Sequence, residues 1–150
     1  MMRPIKWIAT LSILCISACG AFAGDKEDVQ ALMENGVKAF NAKDKAVYAS
    51  CLADDFQSFS GVQTPLLYET KADWMSFIEG LWGLPFVSYN QQQSLIRVYN
   101  GNSAVINGYY IFKVVNKDGS LTAHSGRATV NVVKSDGKWK IVNYHFSNLF

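Results

Sequence analysis

Hydrophobic positions recur with a helical period in the first half of this chain and with a period of two in the second. Behind Asp25, placed to cap a helix, Val29, Leu32, Met33, Gly36, Val37 and Phe40 fall on one stripe that must face a core. Asp44 stands as the N-cap of a short second helix with Val47, Tyr48, Cys51 and Leu52 inward, ending near Asp54-Asp55. Phe56 to Ser60 can form a short strand. Thr70 with Asp73 resembles a capping box for a third helix carrying Trp74, Phe77, Ile78, Leu81 and Trp82, which Gly83 and Pro85 stop.

From Val87 the pattern predicts strands over about 87–99, 103–116, 120–134 and 138–149, joined at Asn100-Gly101-Asn102, Lys117-Asp118-Gly119 and Ser135-Asp136-Gly137. Helices followed by a block of antiparallel strands define an α+β fold, with N-terminal helices packed on one face of a curved antiparallel sheet. The strand from Ala104 to Val115 is apolar on both faces, where a sheet wet on one side should alternate with polar residues. A second subunit is the simplest cover, so the pattern predicts a homodimer through the sheet.

The last hairpin carries the sharpest chemical clue. Alternation puts Arg127, Thr129, Asn131 and Val133 on one face of its first arm, and Trp139, Ile141, Asn143 and His145 on one face of the second. A two-residue turn at Asp136-Gly137 pairs Ser135 with Lys138 and Ala128 with His145. A bulged turn pairs Lys134 with Lys138 and sets Arg127 opposite His145. The bulged turn is favoured, because it separates a polar face with Trp139 from an apolar face of Ala128, Val130, Val132, Val142, Tyr144 and Phe146.

Composition narrows the class. A hydrophobic share of 49% suits one globular domain, read as residues 25–150. Before it, Arg3 and Lys6, the apolar stretch Trp7 to Ile16 and Ala21-Phe22-Ala23 form an export signal over 1–23, too short to span a membrane permanently. The expected location is periplasmic or secreted. Ile16-Ser17-Ala18-Cys19 also resembles a lipobox, and the alternative is a lipoprotein anchored to the membrane at Cys19. Cleavage after Ala23 leaves Cys51 alone, without an internal disulfide. It also takes Lys and Arg from 14 to 12 against 12 Asp and Glu, and a neutral chain without a basic stripe argues against a nucleic-acid partner.

Candidate chemistry is sparse. Arg127 facing the helices would be a cation in an apolar hollow, which needs an anion such as a ligand carboxylate, an internal partner such as Asp54 or Asp55, or solvent at the sheet edge. His145 can serve as a base or a hydrogen-bond donor, or as a structural residue. Asn143 and Thr129 share its surroundings, and Tyr48 and Trp74 supply apolar walls, with Trp82, Tyr89 and Tyr110 as further candidates for lining or core. His124 alternates oppositely to Arg127 and reads as exposed. After Glu79 the only acidic residues are Asp118 and Asp136, both in turns, so no strand carries a carboxylate inward. No metal-ligand set, phosphate loop or other cofactor motif is present.

The order of elements resembles the nuclear transport factor 2-like superfamily, which includes the SnoaL-like proteins. Thr129, Asp136-Gly137-Lys138-Trp139, Val142, Tyr144-His145 and Ser147 resemble the association domain of calcium/calmodulin-dependent protein kinase II, and Leu52-Ala53-Asp54-Asp55-Phe56 the family's helix-to-strand junction. The resemblance implies a cone whose sheet wraps a pocket closed by helices, often dimeric or further oligomerised. Its members include isomerases, dehydratases, cyclases and epoxide hydrolases beside proteins that only bind or assemble, so fold does not decide function. The leading expectation is an exported, non-catalytic protein that binds a small, polar or anionic molecule through Arg127 and His145. The alternatives are a lyase, isomerase or hydrolase with His145 as base, and a structural oligomerisation module.

Overall fold

The computed structural model describes residues 24–60 and 66–149; the segment 1–23 read as an export signal, with Cys19 in it, and Phe150 lie outside them. Elements run α1 (Asp25–Ala42), α2 (Lys45–Cys51), β1 (Leu52–Ser60), β2 (Leu66–Tyr68), α3 (Lys71–Trp82), β3 (Phe86–Tyr99), β4 (Ser103–Val115), β5 (Leu121–Ser135) and β6 (Lys138–Asn148). The predicted α+β architecture is present, with three helices against one six-stranded sheet.

Local chemistry sets the helix ends. Gly24, not Asp25, occupies the N-cap of α1, and Asp25 instead pairs with Lys134 of β5 at 2.7 Å. Lys43, at φ 57°, ends that helix in the left-handed region. The Asp44 carboxylate accepts from the Val47 amide at 3.0 Å. At α3 the Asp73 amide donates to Thr70 Oγ1 at 3.1 Å while the Thr70 hydroxyl donates to Asp73 Oδ2 at 2.7 Å. The second helix is shorter than expected: β1 begins at Leu52, because Leu52, Phe56, Ser58 and Ser60 point inward and Asp54 and Asp55 stay exposed.

The sheet order is β2-β1-β6-β5-β4-β3. Strands β3 to β6 form the expected antiparallel meander, while β1 joins β6 in parallel and carries the short β2 on its other edge. One sheet face packs on the helices through Phe56, Ile106, Val130, Val132 and Ile141, each fully buried. Every such side chain contributes roughly 1.5–3 kcal/mol by leaving water. On the opposite face of β4, Val105 and Ile111 are only half-buried and Tyr109 is 44% exposed, so nothing within the described residues covers it.

The terminal hairpin departs from the favoured register. Asp136 and Gly137 both have positive φ, at 50° and 73°, which makes a two-residue turn with Ser135 opposite Lys138. The bulge lies deeper, in β6, where Ile141 pairs with Val132 and Asn143 with Asn131, leaving Val142 unpaired. Beyond it Thr129 faces His145, Ala128 faces Phe146 and Arg127 faces Ser147. Trp139 therefore shares the helix-facing side with Ile141, Tyr144 and Phe146 rather than with Asn143 and His145.

Candidate functional site: an aromatic cavity between helices and sheet

A cavity of about 370 Å³ lies between α1, α3 and the inner face of the sheet. Drug-sized ligand pockets begin near this volume. Its walls come from the same periodicities that build the core. Met33, Gly36 and Phe40 are on the inward stripe of α1, and Trp74, Phe77, Ile78 and Leu81 on that of α3. The sheet supplies Tyr89 from β3, Tyr110 and Phe112 from β4, Thr122 and His124 from β5, and Tyr144 and Phe146 from β6. Gly126 makes this packing possible: a Cβ there would sit 2.1 Å from the Ser147 carbonyl oxygen and 2.6 Å from the Tyr110 ring.

Hydrogen bonds hold the aromatic wall in place. Trp74 Nε1 donates to the Tyr48 hydroxyl at 3.1 Å, and Tyr144 is hydrogen-bonded to the same hydroxyl. The Tyr110 hydroxyl donates to Asn148 Oδ1 at 3.2 Å, and its ring stacks on Tyr89 at 6.1 Å. Asn41 clamps Tyr89 by its backbone, donating to the carbonyl and accepting from the amide, both at 2.8 Å. Burial pushes the Tyr48, Tyr89 and Tyr144 hydroxyls well above the usual tyrosine range, so they remain neutral donors and acceptors.

Among the described residues that line the cavity there is no Asp, Glu, Lys or Arg. Besides the tyrosine hydroxyls and Ser60 of β1, its polar groups lie toward the β4–β5 connection. There Asn116 Nδ2 donates to Ser120 Oγ at 2.9 Å and to Thr122 Oγ1 at 3.0 Å, with His124 two residues further along the same face.

The predicted site residues divide between the two faces of the sheet. Tyr48 and Trp74 line the cavity, as do Tyr89 and Tyr110, whereas Trp82 donates its Nε1 to the Phe40 carbonyl at 2.9 Å beside it. Arg127, Thr129, Asn143 and His145 do not reach the cavity. Their face is the one turned away from the helices, because the Val142 bulge restores the alternation that sends Ala128, Val130, Tyr144 and Phe146 inward. Arg127 and His145 do share a face, as diagonal neighbours, and both are exposed.

On that outer face Thr129 donates to Asn107 Oδ1 at 2.9 Å, Asn131 Nδ2 donates to Asn143 Oδ1 at 3.2 Å, and the His145 ring meets Phe59 edge-on at 6.2 Å. Asp54 pairs with Lys71 at 3.2 Å rather than with Arg127. The expectation that His124 is exposed is also corrected. It is half-buried and lines the cavity, and the signal was its parity with Ala128, Val130 and Val132.

Comparison with known proteins places this architecture. The sequence model of the calcium/calmodulin dependent protein kinase II association domain matches residues 25–149. A search of curated proteins found no match. Among solved structures, a Xanthomonas campestris protein provisionally assigned to that association domain superposes with a TM-score of 0.71 at 24% identity, over 82% of this chain and 86% of its own. A Novosphingobium aromaticivorans protein provisionally assigned as an aromatic ring hydroxylase gives 0.75 at 21% identity, over 84% and 90%. A nuclear transport factor 2-like superfamily protein from Salmonella enterica gives 0.71 at 17% identity, over 83% and 90%. At these identities the superpositions speak for the fold alone.

Proposed function

This chain belongs to the calcium/calmodulin dependent protein kinase II association domain family, within the nuclear transport factor 2-like fold, and from that premise we propose that it binds a small organic molecule in the aromatic cavity. The observation that supports the reading is a hollow of about 370 Å³ with an apolar wall rich in aromatic rings and a few polar groups. Packed interiors rarely leave a void of this size unfilled. Tyr48 and Trp74 act as walls. The anchoring once expected of Arg127 and His145 passes to groups that face inward, and without a cation inside, an anionic ligand loses its rationale. Catalysis by His145 loses its geometry in the same way. Native mass spectrometry of protein from its own cell extract is expected to show a retained organic mass. Ligand-free protein that no apolar aromatic compound stabilises against heat would overturn the reading.

A second reading concerns the outer face, where Leu95, Tyr109 and Leu121 are 56%, 44% and 66% exposed around the polar patch of Arg127, Thr129, Asn143 and His145. Apolar surface of this kind marks an interaction site, and the family takes its name from association. We propose a homodimer through this face, in which those four residues form the polar part of the interface. Light scattering is expected to give twice the mature mass, and a monomer at micromolar concentration would refute it. Export is proposed on the sequence of 1–23, with an intact mass starting at Gly24 as the expected product and a lipidated Cys19 as the contrary one.

A further inference from the structure

Tyr89, Phe112 and His124 stand abreast on three neighbouring strands, since Tyr89 is registered on Phe112 and Phe112 on His124. Directly opposed residues share a sheet face, and all three line the cavity. With strands about 4.8 Å apart, the backbones of Tyr89 and His124 are about 10 Å from each other, with the Phe112 ring between them.

The two ends of this row differ from the polar groups beside them, although the Ser60 and Tyr68 hydroxyls elsewhere on the wall are also without a hydrogen-bond partner among the described residues. The hydroxyl of Tyr48 is taken by Trp74, that of Tyr110 by Asn148, and Asn116 by Ser120 and Thr122. The Tyr89 hydroxyl and the His124 imidazole meet no hydrogen-bond partner among the described residues. Both residues are half-buried rather than sealed, so their polar atoms stay open to whatever occupies the hollow, and a few such groups on an otherwise apolar wall orient a ligand. The absence of ionised side chains from the wall bears on charge, because an ion brought there would leave water without gaining a fixed counter-charge.

We propose that the cavity takes an uncharged, planar aromatic molecule with a hydroxyl or carbonyl group at each end, Tyr89 and His124 being its two hydrogen-bond partners and Phe112 the surface beneath it. This rests on the binding reading above and adds the ligand class and its orientation. Thr122, whose oxygen already accepts from Asn116, keeps its own proton to offer beside His124.

Calorimetry on the full mature chain tests it with naphthalene, 2,6-dihydroxynaphthalene and naphthalene-2,6-dicarboxylate. Two hydrogen bonds made only by the diol should give it about tenfold or greater advantage over naphthalene. Tyr89→Phe and His124→Phe should each cut that advantage by about threefold or more while leaving naphthalene within about twofold, because neither removes apolar wall. The dicarboxylate should bind more weakly than the diol.

Equal affinity of naphthalene and diol, an advantage that survives in both variants, or a dicarboxylate that matches the diol would each overturn the proposal with the binding reading intact. If neither neutral compound binds the wild-type protein, the binding reading itself falls. Circular dichroism checks each variant, and if one fails to fold, the other together with the wild-type ratio decides.

Discussion

The two faces of the sheet are made from the same strands, yet they solve opposite problems. The inner face uses large aromatic and branched side chains, with the Tyr48 and Tyr110 hydroxyls held by Trp74 and Asn148, and a hollow persists inside a packed layer. The outer face uses short polar side chains, Asn107, Thr129, Asn131 and Asn143, paired across strands and interrupted by exposed Tyr109, Phe59 and Leu95. Polar content alone therefore does not locate this cavity: the side richer in amides, with the Arg, is not the one that lines it.

The strongest test of this contrast uses two phenylalanines three residues apart in β1. Phe56, fully buried against Trp74 and Tyr144, should cost about 3–5 kcal/mol when cut to alanine, read by urea denaturation. Phe59, 48% exposed on the other side, should cost within about 0.5 kcal/mol in the monomer. Similar losses at both positions would mean that the outer face is already covered by the chain itself.

Next in size, Tyr48→Phe leaves the buried Trp74 Nε1 without its acceptor, and should destabilise by about 1–3 kcal/mol with no change in oligomeric state. Alkaline titration sharpens the same point. Tyr48, Tyr89 and Tyr144 have raised pKa values in the folded chain, whereas in the unfolded chain they ionise near the ordinary value of about 10. Above that value the unfolded state loses protons first. Stability is therefore complete below about pH 10 and lost as pH rises further. Tyrosinate absorbance from these three should appear together with unfolding; a rise from all seven tyrosines in still-folded protein would show that water reaches the ring hydroxyls freely. Smallest of all, Arg127→Ala should shift monomer stability by within about 0.5 kcal/mol and leave cavity binding unchanged, while weakening self-association in light scattering.

Much of this architecture was legible in the residues. The stripe of α1, the capping residues Asp44 and Thr70, and the limits of β3 to β6 follow from local periodicity and turn chemistry, and the structure keeps them within a residue or two. The parallel pairing of β1 with β6 was not legible, because partners so far apart in sequence are chosen by packing rather than by any local signal. Leu52 to Asp55 hid the start of β1, since two adjacent acids mask the alternation. For the site, the polar and apolar sides of the first arm of the last hairpin could be read, but the register that moves Trp139 and Ile141 to the apolar side, and which side meets the helices, could not. Gly126, Ala128 and Val130 held that information, and with it the inward parity of His124.

Val142 shows how little separates the arrangement observed from a quite different one. With the tight turn at Asp136-Gly137 and an unbroken ladder, Ala128 would stand opposite His145, and Asn143 and His145 would project into the hollow in place of Tyr144 and Phe146. One residue left out of the ladder sets the phase of all that follows it. The chemical character of the chamber is thus governed by backbone spacing as much as by residue identity: ironing out that kink at constant length would exchange a greasy phenolic lining for an amide and an imidazole without a single substitution.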